Sequence, residues 1–130
     1  YEMLRSLVGS EMCIRDSERS IKGSKILILG VAYKRDVNDI RESPAIDIIS
    51  LLSDKGAIVY YFDPYIPKIQ IGDLEIESVE LTKEVLKESD LVVLITDHSI
   101  FDYEFIYKNA NLIFDTKNAF KNYSEKIYKL

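Results

Sequence analysis

The stretch KILILGVAYKRDVNDIRESPAIDIISLL, residues 25–52, decides the fold. It opens with a continuous apolar run, Lys25–Ala32, which is typical of a strand buried on both faces. A long polar segment follows, and Ser43–Pro44 then provides an N-cap serine and a proline for the first helical turn. The next apolar residues have the spacing of one buried helix face, namely Ala45, Ile48, Ile49 and Leu52. The stretch therefore predicts a strand, a long loop and a helix.

The same alternation continues toward the end of the chain. Gly56 is expected to cap the first helix, and Ile66–Ser78, with Gly72–Asp73 in its middle, predicts a loop or a small hairpin. Further strands are predicted at Ile58–Phe62, Leu91–Thr96, Leu112–Asp115 and Ile127–Leu130. Short helices are predicted from Thr82 to Glu88 and from Ser99 to Lys108. This pattern predicts an α/β fold, a doubly wound, mostly parallel sheet in a Rossmann-like three-layer α/β/α domain.

Composition narrows the possible classes of protein. The chain has 130 residues, 47% of them hydrophobic and 30% charged, as in one ordinary soluble domain. A net charge of −5 argues against nucleic-acid binding, and no apolar run approaches the roughly 20 residues that span a bilayer. The one cysteine, Cys13, cannot by itself form an internal disulfide or a metal site. We therefore expect a cytoplasmic protein without a metal or a membrane anchor.

The first 17 residues fit the alternating pattern poorly. They are interpreted either as the end of a linking helix from an upstream domain or, preferably, as a non-native scar left by cloning or sequence assembly. The domain proper is accordingly expected to occupy residues 18–130.

The loop between the first strand and the first helix is the candidate binding segment. Ligands of doubly wound sheets bind beyond the carboxyl ends of the strands, where the strand order reverses. Gly30 and Ala32 allow close approach of a ligand, and the N-terminus of the helix attracts anions. The loop cations are Lys34, Arg35 and Arg41, and the loop acids that nearly cancel them are Asp36, Asp39 and Glu42. The residues alone leave open a site for a phosphate-bearing ligand or a solvated charged loop.

Other candidate residues give weaker signals. The G-x-G-x-x-G fingerprint of NAD binding is absent after the first strand. Asp63 stands where a ribose-binding acid would stand, but without the glycines it is interpreted as a turn residue before Pro64. His98 follows a strand and could act as a general base, although a lone loop histidine is more often structural or solvated. A phospho-acceptor receiver domain is disfavoured, because the first acid after the first strand is Asp36.

Four runs together resemble one known family. GVAYKRDVNDIRESPAIDIISLL (residues 30–52), GAIVYYFDPYIP (56–67), LVVLITDH (91–98) and LIFDTKN (112–118) resemble the C-terminal domain of the UDP-glucose/GDP-mannose dehydrogenase family. The matches occur in order and cover about residues 20–130. The resemblance implies the last of three domains, after an NAD-binding Rossmann domain and a central helical domain.

The resemblance also implies roles for individual residues. Tyr33 and Lys34 would contact the nucleotide sugar, and Arg41 would reach the NAD bound on the other Rossmann domain. Lys117 stands where the family has a substrate-binding arginine; lysine keeps the charge but loses the planar bidentate fork. The catalytic cysteine, lysine and acids of the family belong to the upstream domains, and Cys13 does not match the cysteine motif. No catalytic residue is therefore expected in this chain.

The implied activity is an NAD-dependent UDP-sugar 6-dehydrogenase, which oxidises the C6 alcohol to a carboxylate and yields a UDP-uronic acid. The motifs favour a UDP-N-acetylhexosamine substrate over UDP-glucose, with GDP-mannose third, and a role in surface polysaccharide synthesis. The full-length enzyme is expected to be a homodimer, and this chain alone is expected to be inactive. The alternative is a stand-alone Rossmann-like nucleotide-binding or interaction module without catalytic activity.

Overall fold

The computed structural model describes residues 23–32, 34, 36, 43–117, 119–120 and 127–129. The strands are β1 (Lys25–Leu29), β2 (Ile58–Phe62), β3 (Lys68–Ile71), β4 (Leu74–Glu77), β5 (Leu91–Leu94), β6 (Ile113–Asp115) and β7 (Ile127–Lys129). The helices in these ranges are α1 (Pro44–Asp54), α2 (Lys83–Glu88) and α3 (Tyr103–Asn109). None of these helices is long and apolar enough to cross a membrane. The segment 1–17 and Cys13 lie outside the described residues, so both interpretations of that segment stay untested.

Five of the strands form one parallel sheet in the order β2-β1-β5-β6-β7. The chain adds β2 on one side of β1 and then continues on the other side with β5, β6 and β7. The strand order therefore reverses between β1 and β5, and this pair is the topological switch point of a doubly wound fold. The predicted fold class is confirmed.

The core lies on both faces of this sheet, because successive side chains of a strand point to opposite faces. On one face, Ile26 and Ile28 of β1 pack in a cluster with the apolar side of α1. On the other face, Leu27 and Leu29 pack with Leu86 of α2 and with α3. All four of these apolar β1 side chains are fully buried. The continuous apolar run of the sequence is thus explained by a strand with a helical layer on each side.

The interruption between β2 and α2 is an antiparallel hairpin of β3 and β4. Ile69 of β3 joins the α1-side cluster, and the residues after β4 reach back to the edge of β2. There the Val79 N–H donates to the Tyr61 carbonyl at 2.9 Å. The hairpin predicted as one of two alternatives therefore covers the outer edge of β2, which would otherwise present unpaired backbone groups.

The helix caps follow the sequence closely. The Ser43 and Thr82 side chains accept N–H groups of the first turns of α1 and α2, as predicted. Gly56, with φ 90°, follows the C-cap residue Lys55 of α1. The predicted start of the third helix is wrong: this helix begins at Tyr103 behind the N-cap Asp102. Ser99 instead lies in a turn that the Phe101 N–H closes by donating to the His98 carbonyl at 3.3 Å, and its N–H and hydroxyl are hydrogen-bonded to Asp36.

The predicted strands β1 and β5 are also too long. Their apolar runs continue to Ala32 and Thr96 as buried backbone, whereas the ladders end at Leu29 and Leu94. Gly30 has φ 81° and turns the chain out of the strand conformation. A Cβ atom on Gly30 would lie 2.4 Å from the Thr96 carbonyl oxygen, so glycine allows the two strand ends to approach.

We predict that Gly30→Ala lowers the free energy of unfolding by about 2–5 kcal/mol, the sum of a left-handed backbone and an overpacked contact. Gly72→Ala is the matched control, because Gly72 has φ 59° but no neighbouring atom within 4 Å of the position that a Cβ would take. Urea unfolding should show a loss of about 1–2 kcal/mol for the control. Equal losses in the two variants would contradict the close approach of β1 and β5.

Tyr61 provides a test of the covered edge of β2. Its ring is fully buried and its hydroxyl donates to the Ile66 carbonyl at 3.0 Å. Burial, together with the carboxylates of Asp63 and Glu77, raises the pKa of Tyr61 from 10.0 to about 12. Between these values the unfolded chain releases the phenol proton and the folded chain keeps it. The contribution to stability is therefore complete below pH 10 and is lost as the pH rises toward 12.

We expect the stability advantage of the wild type over Tyr61→Phe to shrink between pH 10 and pH 12, by at most about 1.4 kcal/mol per pH unit. The variant keeps the other titrating groups, so the difference isolates this phenol. Urea unfolding of both proteins across the window is the measurement. A constant difference would show that Tyr61 titrates equally in the folded and unfolded states.

Candidate functional site

The candidate site lies at the carboxyl ends of β1 and β5, the switch point of the sheet. Ligands bind at this edge in doubly wound folds because adjacent loops diverge there and leave a crevice. The loop from β1 to α1 starts here, and its described residues are Gly30–Ala32, Lys34, Asp36 and Ser43. The ends of β2 and β6 flank this pair of strands.

A buried carboxylate, that of Asp63, organises the carboxyl ends of these strands. Asp63, directly after β2, is 3% exposed, and its Oδ2 accepts the N–H groups of Val31 at 2.8 Å and Ala32 at 3.1 Å. Its Oδ1 accepts the Tyr65 N–H at 2.8 Å. His98 Nε2 lies 2.9 Å from Oδ2. Four donors from three segments therefore offset the cost of burying this charge.

The ring of His98 is held in one neutral tautomer. The Asp36 N–H donates to Nδ1 at 2.8 Å, and a backbone N–H can only donate, so Nδ1 has no proton. Nε2 must then bear the proton that it donates to Asp63. For the same reason the 3.8 Å approach of Nδ1 to Asp36 Oδ1 is not an ion pair. His98 is a structural bridge and not a free general base.

Asp36 completes the bridge between the loops after β1 and β5. It has φ 60°, which is uncommon for a residue other than glycine but tolerated by aspartate. Its Oδ1 accepts the Ser99 N–H at 2.9 Å and its Oδ2 accepts the Ser99 hydroxyl at 2.7 Å. The Thr96 hydroxyl donates to the Ala32 carbonyl at 2.7 Å. Ala32 and Asp36 are thus both tied to the loop after β5.

A second buried carboxylate shapes the turn after β6. Asp115 accepts the N–H groups of Lys117 and Phe120, each at 2.9 Å, and Thr116 donates its hydroxyl to the Leu94 carbonyl at 2.6 Å. This turn leaves the side chain of Lys117 exposed. The arrangement presents a cation at the same edge of the sheet as the β1 loop.

The predicted site residues differ in their exposure and in whether the structure describes them. Lys34 and Lys117 are both exposed at the carboxyl edge, beyond β1 and β6. Tyr33 and Arg41 lie outside the described residues, so their roles stay predictions. Asp63 is a turn residue as interpreted, because it accepts the Tyr65 N–H, but it also anchors β1. His98 is structural and fully buried, so the solvated alternative is wrong.

Sequence reasoning missed the contact between Asp63 and His98. The signal was present, because Asp63 follows β2 and His98 follows β5, the two strands that flank β1. Once the strand order is assigned, both residues fall at the same edge. Among the described residues no group of three His, Cys, Asp or Glu side chains is arranged to hold a metal ion.

The end of β1 does not fit NAD. A dinucleotide site needs free backbone N–H groups for the pyrophosphate and an acid free to bind the ribose. Here the Val31 and Ala32 N–H groups donate to Asp63, and the space beside Gly30 is filled by Thr96. Asp63, the only acid directly after β2 in the described chain, uses both oxygens on protein donors. The missing glycine fingerprint therefore agrees with the geometry.

Comparisons with known proteins agree with this architecture. The chain is 34% identical over 110 residues to a UDP-N-acetyl-D-mannosamine dehydrogenase of Methanococcus maripaludis, covering 78% of this chain and 24% of that protein. It is 33% identical over 112 residues to a UDP-glucose 6-dehydrogenase of Rickettsia bellii, covering 80% and 26%. The chain thus spans about a quarter of the length of these curated relatives.

Solved structures have the same fold. The UDP-N-acetyl-mannosamine dehydrogenase of Staphylococcus aureus matches with a TM-score of 0.71 and 30% identity, covering 98% of this chain and 30% of that one. A UDP-D-ManNAc dehydrogenase of Pyrococcus horikoshii matches with a TM-score of 0.75 and 21% identity over the same shares, which speaks for the fold alone. Residues 27–122 match the model of the UDP binding domain of the UDP-glucose/GDP-mannose dehydrogenase family. The chain belongs to the UDP-glucose/GDP-mannose dehydrogenase family and contains its UDP binding domain.

Proposed function

We propose that this chain is the nucleotide-sugar-binding part of an NAD-dependent UDP-sugar 6-dehydrogenase, which oxidises the C6 alcohol of the sugar to a carboxylate. The observation that carries the proposal is the pair of exposed lysines, Lys34 and Lys117, at the carboxyl edge beside the switch point. A diphosphate needs cations at a ligand edge, and this edge provides them although the whole chain has a net charge of −5.

The proposal divides the enzyme between domains. Because the end of β1 does not fit a dinucleotide, NAD would be held by another domain of the same enzyme, toward which Arg41 is expected to point. The cysteine nucleophile would also belong to another domain, so this chain alone binds substrate without oxidising it. The proposal includes a cytoplasmic homodimer that serves surface polysaccharide synthesis.

A UDP-N-acetylhexosamine is the proposed substrate, with UDP-glucose as the second choice. The motifs of the β1–α1 loop and of residues 63–67 support this order. The relatives named for UDP-N-acetyl-D-mannosamine and for UDP-glucose are similar to the chain to almost the same degree, 34% and 33%. The substrate order is therefore a matter for direct binding measurements.

We predict that UDP and UDP-N-acetylglucosamine shift the amide signals of the ¹⁵N-labelled chain at Gly30–Lys34 and at Asp115–Lys117. Binding by part of a site is expected in the millimolar range, roughly −4 kcal/mol. NAD should shift these signals little. A response to NAD at Gly30 and Asp63 without one to UDP would overturn the assignment. Silence toward all three ligands would favour a stand-alone interaction module.

The same titration tests the role of Lys34. Lys34→Ala should weaken UDP binding about tenfold, because a charge-assisted contact to the diphosphate is lost. Lys108→Ala is the matched control: it removes the same charge from an exposed lysine on α3, which pairs only with Glu104 among the described ion pairs. Equal affinities of the two variants would remove Lys34 from the site.

A further inference from the structure

We propose that His98 is a positioning residue for the nucleotide sugar, and that its Nδ1 holds the β1–α1 loop in the conformation that presents Lys34 to the ligand. The inference rests on the proposed function for the identity of the ligand. His98 itself touches no ligand in this account; it acts through the loop.

The first step is the backbone at Asp36, two residues after Lys34. Its φ of 60° is a left-handed conformation, which an L-residue adopts at a cost of about 1–2 kcal/mol. In this conformation the Asp36 N–H donates to His98 Nδ1 at 2.8 Å. The hydrogen bond thus fixes the backbone at Asp36.

The second step is the rigidity of the acceptor. The His98 ring is fully buried and has edge-on contacts with Tyr65 and Phe101, at centroid distances of 4.8 and 5.4 Å. Nε2 is bonded to Asp63, and the His98 carbonyl accepts the Tyr103 hydroxyl at 2.9 Å. The ring therefore has one orientation and one tautomer in which to receive the Asp36 N–H.

A fixed backbone at Asp36 lowers the entropy cost of ligand binding by Lys34. Lys34 is exposed and has four rotatable side-chain bonds, so a mobile backbone would add to the entropy lost when a ligand binds. Asp36, held by His98 on its backbone and by Ser99 on its side chain, removes the backbone part of that cost. Preorganisation of the loop should appear in ligand affinity more than in global stability.

Two variants separate the two ring nitrogens. In His98→Asn the side-chain oxygen occupies the place of Nδ1 and accepts the Asp36 N–H, while the bond to Asp63 is lost. In His98→Gln the amide nitrogen reaches the place of Nε2 and donates to Asp63, while the acceptor for Asp36 is lost. His98→Asn loses the buried bond to the Asp63 carboxylate, whereas His98→Gln loses the part-buried bond from the Asp36 N–H, so the larger loss of stability is expected for His98→Asn.

The experiment measures UDP affinity of both variants by ¹⁵N NMR, beside their free energies of unfolding. We expect His98→Gln to weaken UDP binding about tenfold and His98→Asn to stay within about threefold of the wild type. Asn111→Ala is the stability control, because its amide bonds to Lys87 and Ser89 lie at the opposite edge of the sheet. The inference would be overturned if UDP affinity fell in proportion to the free energy of unfolding across the three variants. It would also be overturned if His98→Asn bound UDP more weakly than His98→Gln.

Hydrogen exchange separates this inference from the proposed function. The Asp36 amide should exchange faster in His98→Gln than in His98→Asn, with unchanged exchange in β5. That result supports the positioning of the loop by His98, whether or not the wild type binds UDP. Failure of the wild type to bind UDP would refute the proposed function alone. Equal protection of the Asp36 amide in both variants would refute the positioning role whatever the ligand.

Discussion

The hydrogen bonds of the buried Asp63 carboxylate hold together the carboxyl ends of β1, β2 and β5, where the candidate site lies. The carboxylate is buried between the ends of β1, β2 and β5 and accepts hydrogen bonds from Val31, Ala32, Tyr65 and His98. An isolated buried carboxylate is costly, so the four donors must stay in place for the charge to be tolerated. The same charge thereby fixes three backbone segments and the tautomer of a histidine.

This arrangement determines what the edge can bind. Among the residues described at the end of β1, the Val31 and Ala32 N–H groups are already occupied by Asp63, and Thr96 fills the space beside Gly30. The proposed ligand-binding residues, Lys34 and Lys117, are exposed further along the loops after β1 and β6. A domain built in this way suits an anionic nucleotide sugar better than NAD, in agreement with its place in a dehydrogenase family that has a separate UDP binding domain.

Much of the fold follows from local sequence signals. The caps at Ser43 and Thr82 and the run Ile58–Phe62 predicted correct elements, because side-chain capping and the strand preference of β-branched and aromatic residues act within a few residues. The ends of β1 and β5 were less predictable, since buried backbone continues past the ladder at Gly30. The third helix begins later than Ser99, because a turn from His98 to Phe101 comes first and the Asp102 side chain then caps the helix.

The site was predictable only in part, for the same physical reason. Lys34 and Lys117 were identified from family motifs, and their exposure at one edge follows from the parallel strand order. The pairing of Asp63 with His98 joins residues 35 positions apart and depends on strand order, which local patterns do not specify. The roles of Tyr33 and Arg41 stay predictions from the resemblance.

The free energy of unfolding of Asp63→Asn tests the central claim most directly. An asparagine amide has one oxygen and one NH₂ group, so either orientation places a donor against at least one of the four donors that now face the carboxylate. Urea unfolding at pH 7 should show a loss of about 2–4 kcal/mol, against about 0.5 kcal/mol or less for the exposed hairpin variant Asp73→Asn. Equal small losses in both variants would contradict the claim that this carboxylate organises the edge.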